Sequence, residues 1–362
     1  MKRLSLLAAL VLSLFATVTA QTATKLTYTE ASQLTLVGKL MPGTTNPYHR
    51  IDTTAFKGFT PSENFQVRMS AGIAVAFKTN SPRIAVRATF GQVSTPENAT
   101  AFTARGFDLY CRPTSRDQWC WAGSGVIGKS GELTLVNHMT TTAKEFILYL
   151  PLFSEVNSVQ VGVNAGSTLQ PLAPPFRHRI AIFGSSFTHG SSTGRAGMTY
   201  PAQFARLTGL QLLSLGCSGN CKLQPYFAKA LAAAPDIDAF IFDTFSNPTV
   251  DEIKARLFPF IETIQAAHPG VPLIFQRTIR REHRNFDQAY DKREAQRIAV
   301  ADSMMQIATK RYRNVYYIHP NATSPDHNAS IDGTHPSNYG YTLWAKSIIA
   351  PVKKILKKYN LQ

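Results

Sequence analysis

The chain predicts an α/β fold, a parallel sheet with helices on both faces, preceded by an all-β sandwich domain. Three observations lead there. After residue 177, strand-like and helix-like segments alternate five times, the pattern of βα units on a parallel sheet. Before residue 170, short β-type runs recur between Gly, Pro, Asn and Ser, with no convincing helix. Between the two, Gln170-Pro171-Leu172-Ala173-Pro174-Pro175-Phe176 is too rich in proline to continue either pattern and reads as a linker.

At the start, Lys2 and Arg3 precede an apolar run from Leu4 to Val18, closed by Val18-Thr19-Ala20 ahead of Gln21. This is the layout of a secretory signal peptide over 1–20, and the run is too short for a membrane span. No second such run occurs, and no cysteine follows the small-residue site to take a lipid anchor. Export to the periplasm or medium is the expectation. The 342 residues after Ala20 exceed what one hydrophobic core ordinarily serves, so two domains are expected, over 22–170 and 178–362, joined by 171–177.

Removing Lys2 and Arg3 takes the formal charge from +16 to +14. No basic stretch is interleaved with aromatics as in a single-strand nucleic-acid groove, so no nucleic-acid partner is expected. A basic surface suits an anionic polysaccharide or a membrane surface, but a generally solvated basic surface is the plainer reading. Cys111 with Cys120 and Cys217 with Cys221 form two close pairs, and an oxidising compartment makes disulfides the expectation. The 217/221 pair can close only where a turn brings its α-carbons within about 7 Å. Neither pair has zinc-ligand spacing to a histidine pair, and no metal or other cofactor is expected.

In the first half, strands are predicted at Phe65–Met69, Ala74–Phe77, Arg83–Phe90, Phe146–Leu150 and Ser158–Val163. Gly106-Phe107-Asp108-Leu109-Tyr110 is a further strand carrying one acid, and Trp119 and Trp121 flank Cys120. Core aromatics, a buried turn-capping acid and a hairpin stapled by Cys111–Cys120 account for these better than function does. Pro47-Tyr48-His49-Arg50 concentrates recognition-type side chains, so His49 and Arg50 are candidates for substrate binding as much as for structure.

In the second half, strands are predicted at 179–183, 210–215, 237–243, 272–275 and 314–318. Helices are predicted at 200–207, 223–233, 249–267, 287–311 and 337–358. Right-handed connections and a flavodoxin-like strand order are the economical arrangement. The first strand, Arg179-Ile180-Ala181-Ile182-Phe183, breaks into Gly184-Ser185-Ser186-Phe187. Taken alone that is an ordinary βα turn. Other strand ends are also polar: Gly216-Cys217-Ser218-Gly219-Asn220, Thr244-Phe245-Ser246-Asn247-Pro248 and, after the fifth strand, Asp332-Gly333-Thr334-His335-Pro336. All therefore fall on the carboxyl edge of the sheet, where ligands of open α/β sheets bind.

Acyl transfer is the chemistry such an edge can run. A serine hydroxyl needs a base to take its proton, and the base needs a third group to fix its tautomer. Ser186, His335 and Asp332 supply the three roles, with carboxylate and imidazole three residues apart in one turn. The Ser186 amide, the Gly219 amide and the Asn247 NH2 can donate to a tetrahedral oxyanion.

These residues resemble the blocks of the SGNH, or GDSL-type, hydrolases: Gly184-Ser185-Ser186-Phe187, Gly219, Asn247 and Asp332-x-x-His335. The acid usual before the serine is Ser185 here. Gly106 to Tyr110 is similar to the Gly-x-Asp-Leu-Tyr motif of an exported branch with its own N-terminal β domain. The resemblance covers nearly the whole chain after the leader and implies a serine esterase, with an acylated saccharide or polysaccharide as its expected partner.

Other readings are set against this. Gly184 to Gly190 lacks the lysine of a phosphate loop. His189 is near the nucleophile but has no carboxylate at fixed spacing. His319, Asp326 and His327 lack regular ligand spacing. The basic run Gln276–Arg284 follows the fourth strand, so Arg277 and Arg280 are either a solvated face or a substrate contact. A carbohydrate esterase acting on short, acetyl-type esters is the leading reading. A lipase or thioesterase is weakened by the absence of an apolar lid, and a non-catalytic glycan-binding protein by the complete catalytic set.

Overall fold

The computed structural model describes residues 25–361, so the leader expected over 1–20 lies outside the described residues. The first domain contains β1 (Leu26–Glu30), β2 (Thr35–Val37), α1 (Pro61–Arg68), β3 (Ala74–Thr79), β4 (Ile84–Val93), α2 (Ala101–Arg105), β5 (Gly106–Arg112), β6 (Cys120–Val126), β7 (Glu132–Val136), β8 (Lys144–Tyr149), β9 (Ser154–Asn164) and β10 (Leu169–Pro171). Its strands make two antiparallel sheets, one ordered β1-β9-β4-β7, the other β10-β3-β8-β5-β6 with β2 also on β3.

Strand alternation sorts the side chains. Val75 and Phe77 of β3, Phe107 and Leu109 of β5, and Phe146 and Leu148 of β8 point inward onto Ile84, Val86, Val159 and Val161 of the other sheet, which makes the sandwich core. The intervening Ala74, Ala76, Tyr110, Ile147 and Tyr149 are buried too, against Leu172, Phe176, Ala196, Ala202 and Ala205. Along β3, β5 and β8 the sheet is thus covered on both faces.

The expected strand over Phe65–Met69 is corrected: Phe65 to Arg68 belong to α1 and Met69 caps its end. Thr60 Oγ1 accepts the Glu63 N–H while the Glu63 carboxylate accepts the Thr60 N–H, and Pro61 occupies the first turn. That reciprocal cap outweighs an apolar–polar alternation only five residues long. With α2, capped by Thr100, the first half holds helix that the strand pattern does not announce.

The second domain follows as β11 (Arg177–Gly184), α3 (Ser186–His189), α4 (Tyr200–Thr208), β12 (Leu210–Gly216), α5 (Pro225–Ala232), β13 (Ala239–Asp243), α6 (Val250–Ala267), β14 (Leu273–Gln276), α7 (Gln288–Arg311), β15 (Val315–Ile318) and α8 (Asn338–Lys357). All strands are parallel in the order β12-β11-β13-β14-β15, the flavodoxin-like order expected. One face carries Phe183, Leu213 and Phe242 against α5, α6 and α7; the other carries Ile182, Leu212 and Ile241 against Phe204 of α4 and Trp344 of α8. Gly184 is level with Gly216 on one side and Asp243 on the other, so three strands end side by side. No helix among the described residues is long and apolar enough to cross a membrane.

All four cysteines are free thiols, a departure from the expected bridges. Cys217 and Cys221 are both buried in the core beneath the sheet, and the Cys221 thiol donates to the Asp243 carbonyl instead of closing a bond. Cys111 and Cys120 are partners across the β5–β6 ladder, with the Cys120 thiol directed at the Gln118 carbonyl.

Candidate active site

Ser186 is the first residue of α3, a single turn opened by Ser185, whose Oγ accepts the Phe187 N–H, and closed by Gly190 at φ 101°. Its Oγ lies 2.9 Å from His335 Nε2, and His335 Nδ1 lies 2.8 Å from Asp332 Oδ2. The other carboxylate oxygen accepts the backbone N–H groups of Thr334 at 2.9 Å and His335 at 2.6 Å. Gly333, at φ 76°, lets the chain fold back for this, and a Cβ there would run into the His283 ring. Asn98, from the loop between β4 and α2, also donates to Asp332 Oδ2 at 3.0 Å. Burial alone would raise the Asp332 carboxyl, but hydrogen bonds from His335 and Asn98 outweigh it and hold it well below the usual carboxylate range. An ionised Asp332 fixes a proton on Nδ1 and leaves Nε2 free to accept from the serine.

The donors for an oxyanion come from the three adjacent strand ends. Ser186 follows β11, Gly219 follows β12 at φ 71°, and Asn247 follows β13. Asn247 Oδ1 accepts the Cys221 N–H at 3.3 Å, which turns its NH2 group outward. Among the described residues neither the Ser186 and Gly219 N–H groups nor that NH2 group has a hydrogen-bond acceptor. Free, preorganised donors beside a nucleophile are what a developing oxyanion requires.

Ser185 is compensated from the next strand. Asp243, fully buried at the end of β13, accepts Ser185 Oγ at 2.8 Å, the Ser185 N–H at 3.2 Å and Thr188 Oγ1 at 3.0 Å. Burial pushes its carboxyl up to about 6, against these hydrogen bonds and the charge of Arg281. The acid missing from the serine block is thus present in space.

The GDSL-like lipase/acylhydrolase family profile matches residues 177–353, and the profile for the N-terminus of SGNH-hydrolase-type esterases, named for its GxDLY motif, matches 26–169. The crystal structure of a GDSL-like lipase from Bacteroides ovatus is 35% identical, with TM-score 0.87, covering 92% of this chain and 98% of that one. The chain belongs to the GDSL-like lipase/acylhydrolase family. As a family member it is an esterase of the SGNH type. At 20% identity and TM-score 0.67, a salicylyl-acyltransferase from a tetracycline biosynthetic pathway shares the fold over 91% of this chain and 97% of its own. A family two carbohydrate esterase from Cellvibrio japonicus does so at 12% and 0.59, over 92% and 99%. No match was found among curated proteins.

Several side chains of this SGNH esterase lie elsewhere than the sequence suggests. Arg50 is fully buried and is not a substrate contact: its guanidinium donates to the Gly216 carbonyl at 2.9 Å and to the Gln66 carbonyl at 2.5 Å. His49 lies 3.0 Å from Glu155, which also faces Arg68, so it sits in a pairing network of the first domain, in keeping with the structural one of its two readings. Arg277 is held by both oxygens of Asp302 on α7, while Arg280, exposed, bonds Asn285 at 2.9 Å. Arg281 instead reaches inward, to the Ser246 carbonyl beside Asn247. His189 is buried, with Nε2 donating to the Leu152 carbonyl and Nδ1 facing Ser218 Oγ; burial pushes it down to about 3, so it is no rival base. Trp119 lies under Arg112 and packs, partly buried, against the cluster of Tyr110 and Tyr149, whereas Trp121 is 54% exposed and is not a core aromatic.

Asn98, Gln66 and Asp243 are the polar contributors to this centre that sequence reasoning misses. Asp243 had a signal, an acid closing an apolar strand next to the serine strand. Asn98 and Gln66 had none, since they lie 234 and 152 residues from the groups they touch.

Proposed function

We propose that Ser186 is the nucleophile of an exported esterase that removes short acyl groups, acetyl foremost, from a saccharide. One observation carries the chemistry: the Ser186–His335–Asp332 chain at 2.9 and 2.8 Å beside three free donors. His335 takes the Ser186 proton as Oγ bonds to the ester carbonyl carbon, and the charge that develops on the carbonyl oxygen meets the Ser186 and Gly219 N–H groups and the Asn247 NH2. Collapse breaks the bond to the alcohol oxygen, which leaves with the proton from His335 and so yields acyl-Ser186. Water then attacks, its proton passes to His335, and the released serine recovers that proton as the carboxylic acid departs.

The substrate class rests on three supports. Carbohydrate esterases share the two-domain fold, and one from Clostridium thermocellum was solved with cellohexaose. An open depression of about 420 Å³ adjoins Asp332 and Gly333, lined by His283, Asn285, Phe286 and His327. Phe286 is 91% exposed there, an apolar ring among hydrogen-bonding groups, which suits a pyranose ring, with Arg280 held by Asn285 at its margin. The sequence carries no long apolar lid segment between the catalytic motifs, which favours short acyl chains.

The test is a chain-length series of chromogenic esters together with acetylated glycans. Rapid acetyl hydrolysis, a fall in kcat/KM by chains of about eight carbons, acetate release from at least one acetylated saccharide and indifference to chelator are expected. Higher kcat/KM on octanoyl than on acetyl esters, with no acetate released, would move the enzyme to the lipase or thioesterase class.

A further inference from the structure

The centre described above is assembled from the second domain, yet two of its groups are held by side chains of the first. Gln66, on the last turn of α1, donates through Nε2 to the Ser218 carbonyl at 3.0 Å. That carbonyl and the Gly219 N–H belong to one peptide plane, so a donor on the oxygen fixes the direction of the N–H and polarises it outward. Asn98 approaches from a different loop and donates to Asp332 Oδ2 at 3.0 Å, with its nitrogen 3.1 Å from His335 Nδ1.

The surroundings of Gln66 are built to hold this position. Ser62 Oγ accepts from Asn220 at 3.1 Å, and Glu63, buried, accepts from Gln224 and from the Tyr226 hydroxyl, both at 2.8 Å. Arg50, itself bonded to the Gln66 carbonyl, takes the Gly216 carbonyl at the other end of the same loop. The β12–α5 loop is therefore held from the first domain at both ends, by Arg50 at Gly216 and by α1 from Ser218 to the start of α5 at Tyr226.

We infer that the first domain is a working part of the catalytic centre: Gln66 is a positioning residue for the Gly219 oxyanion donor and Asn98 one for the Asp332–His335 pair. The inference rests on the reading of Ser186 as nucleophile and Gly219 as donor. Losing an oxyanion donor outright typically costs ~10²–10³ in turnover, so losing the group that orients one should cost roughly tenfold.

Gln66→Met keeps the length and loses the donor; Gln66→Glu keeps the shape and turns an acceptor towards the carbonyl. Both, and Asn98→Leu, are expected to lower kcat on acetyl esters about tenfold with KM within twofold. The Gln66 variants should also slow inactivation by a phosphonate, which forms a tetrahedral adduct, by a similar factor. Glu at 66 serves where Met disturbs packing, and thermal melting identifies a variant that fails to fold. Unchanged kcat and unchanged inactivation rate in a folded Gln66 variant overturn its role, and unchanged kcat in Asn98→Leu overturns that of Asn98. A rise in KM with kcat retained would make either residue a substrate contact and overturn it as well. Phosphonate labelling of the wild-type chain at a residue other than Ser186 instead sinks the nucleophile assignment, separately from the kcat comparison.

Discussion

Asp108 and Arg195 meet across the domain boundary, with the guanidinium Nη1 2.9 Å from each carboxylate oxygen. Asp108 is fully buried in β5, and it also accepts the Gly197 N–H at 2.8 Å; Arg195 further donates to the Tyr110 hydroxyl at 2.8 Å. The Gly-x-Asp-Leu-Tyr motif is thus a latch, its acid and its tyrosine holding the segment that leads into α4 and its leucine in the sandwich core. Burial lifts the Asp108 carboxyl above its ordinary range despite Arg195, so the pair sets the register of the two domains more than it adds stability.

Removing one side of this pair should be costly. Asp108→Ala leaves a half-buried guanidinium and an orphaned amide, and a loss of about 3 kcal/mol in unfolding free energy is expected. Urea denaturation measures it, and limited proteolysis should show faster cutting between residues 171 and 177. An unaltered midpoint would end the latch interpretation.

Asp243 predicts a pH signature. With a folded value near 6 against 3.8 unfolded, the folded chain binds more protons between about pH 4 and 6, so this group subtracts stability as pH rises through that window. Asp243→Asn removes the dependence. Relative to wild type, the variant should gain about 2 kcal/mol between pH 4.5 and 7.5. A gap independent of pH would show that Asp243 is ionised throughout.

Ser186→Ala should abolish phosphonate labelling and nearly all turnover. Asp332→Asn should cost about 10⁴-fold in kcat, because the amide favours the wrong histidine tautomer. Labelling that moves to Ser185 in the alanine variant would refute the choice of serine; that outcome is disfavoured by the engagement of Ser185 Oγ with Asp243.

Thiol chemistry separates the two cysteine pairs. Burial pushes Cys111 up to about 11 and Cys217 up to about 12, while Cys120 is exposed. At pH 8 iodoacetamide should alkylate Cys120 first and spare Cys217 and Cys221 until denaturant is added. A mild oxidant should join Cys111 to Cys120, which face each other across the ladder, and leave the buried pair free. Peptide mapping that finds a 217–221 bridge would contradict the Cys221 thiol contact with Asp243.

The strand order and the Ser186, His335 and Asp332 set were legible because each rests on local pattern. Apolar runs that break into Gly or a polar residue mark the strands, and Asp332 and His335 are three residues apart. Gln66 and Asn98 were not, since each works on a partner more than 150 residues away and nothing nearby announces it. Arg50 was misjudged by residue type: arginine is usually exposed, but here carbonyl oxygens surround its Nη atoms and substitute for water. Phe65–Met69 misled because a five-residue alternation cannot compete with a capping box whose halves, Thr60 and Glu63, lie ahead of it.

The twice-covered sheet of β3, β5 and β8 bears on how such a gene can change. A domain that docks through a few polar contacts can be exchanged by recombination, leaving each half soluble. Here a breakpoint within residues 172–176 would strip Tyr110, Ile147 and Tyr149 from Ala202 and Ala205 and give two halves, each with an apolar wound. Either half made alone would therefore carry an exposed apolar face at this seam and be prone to self-association.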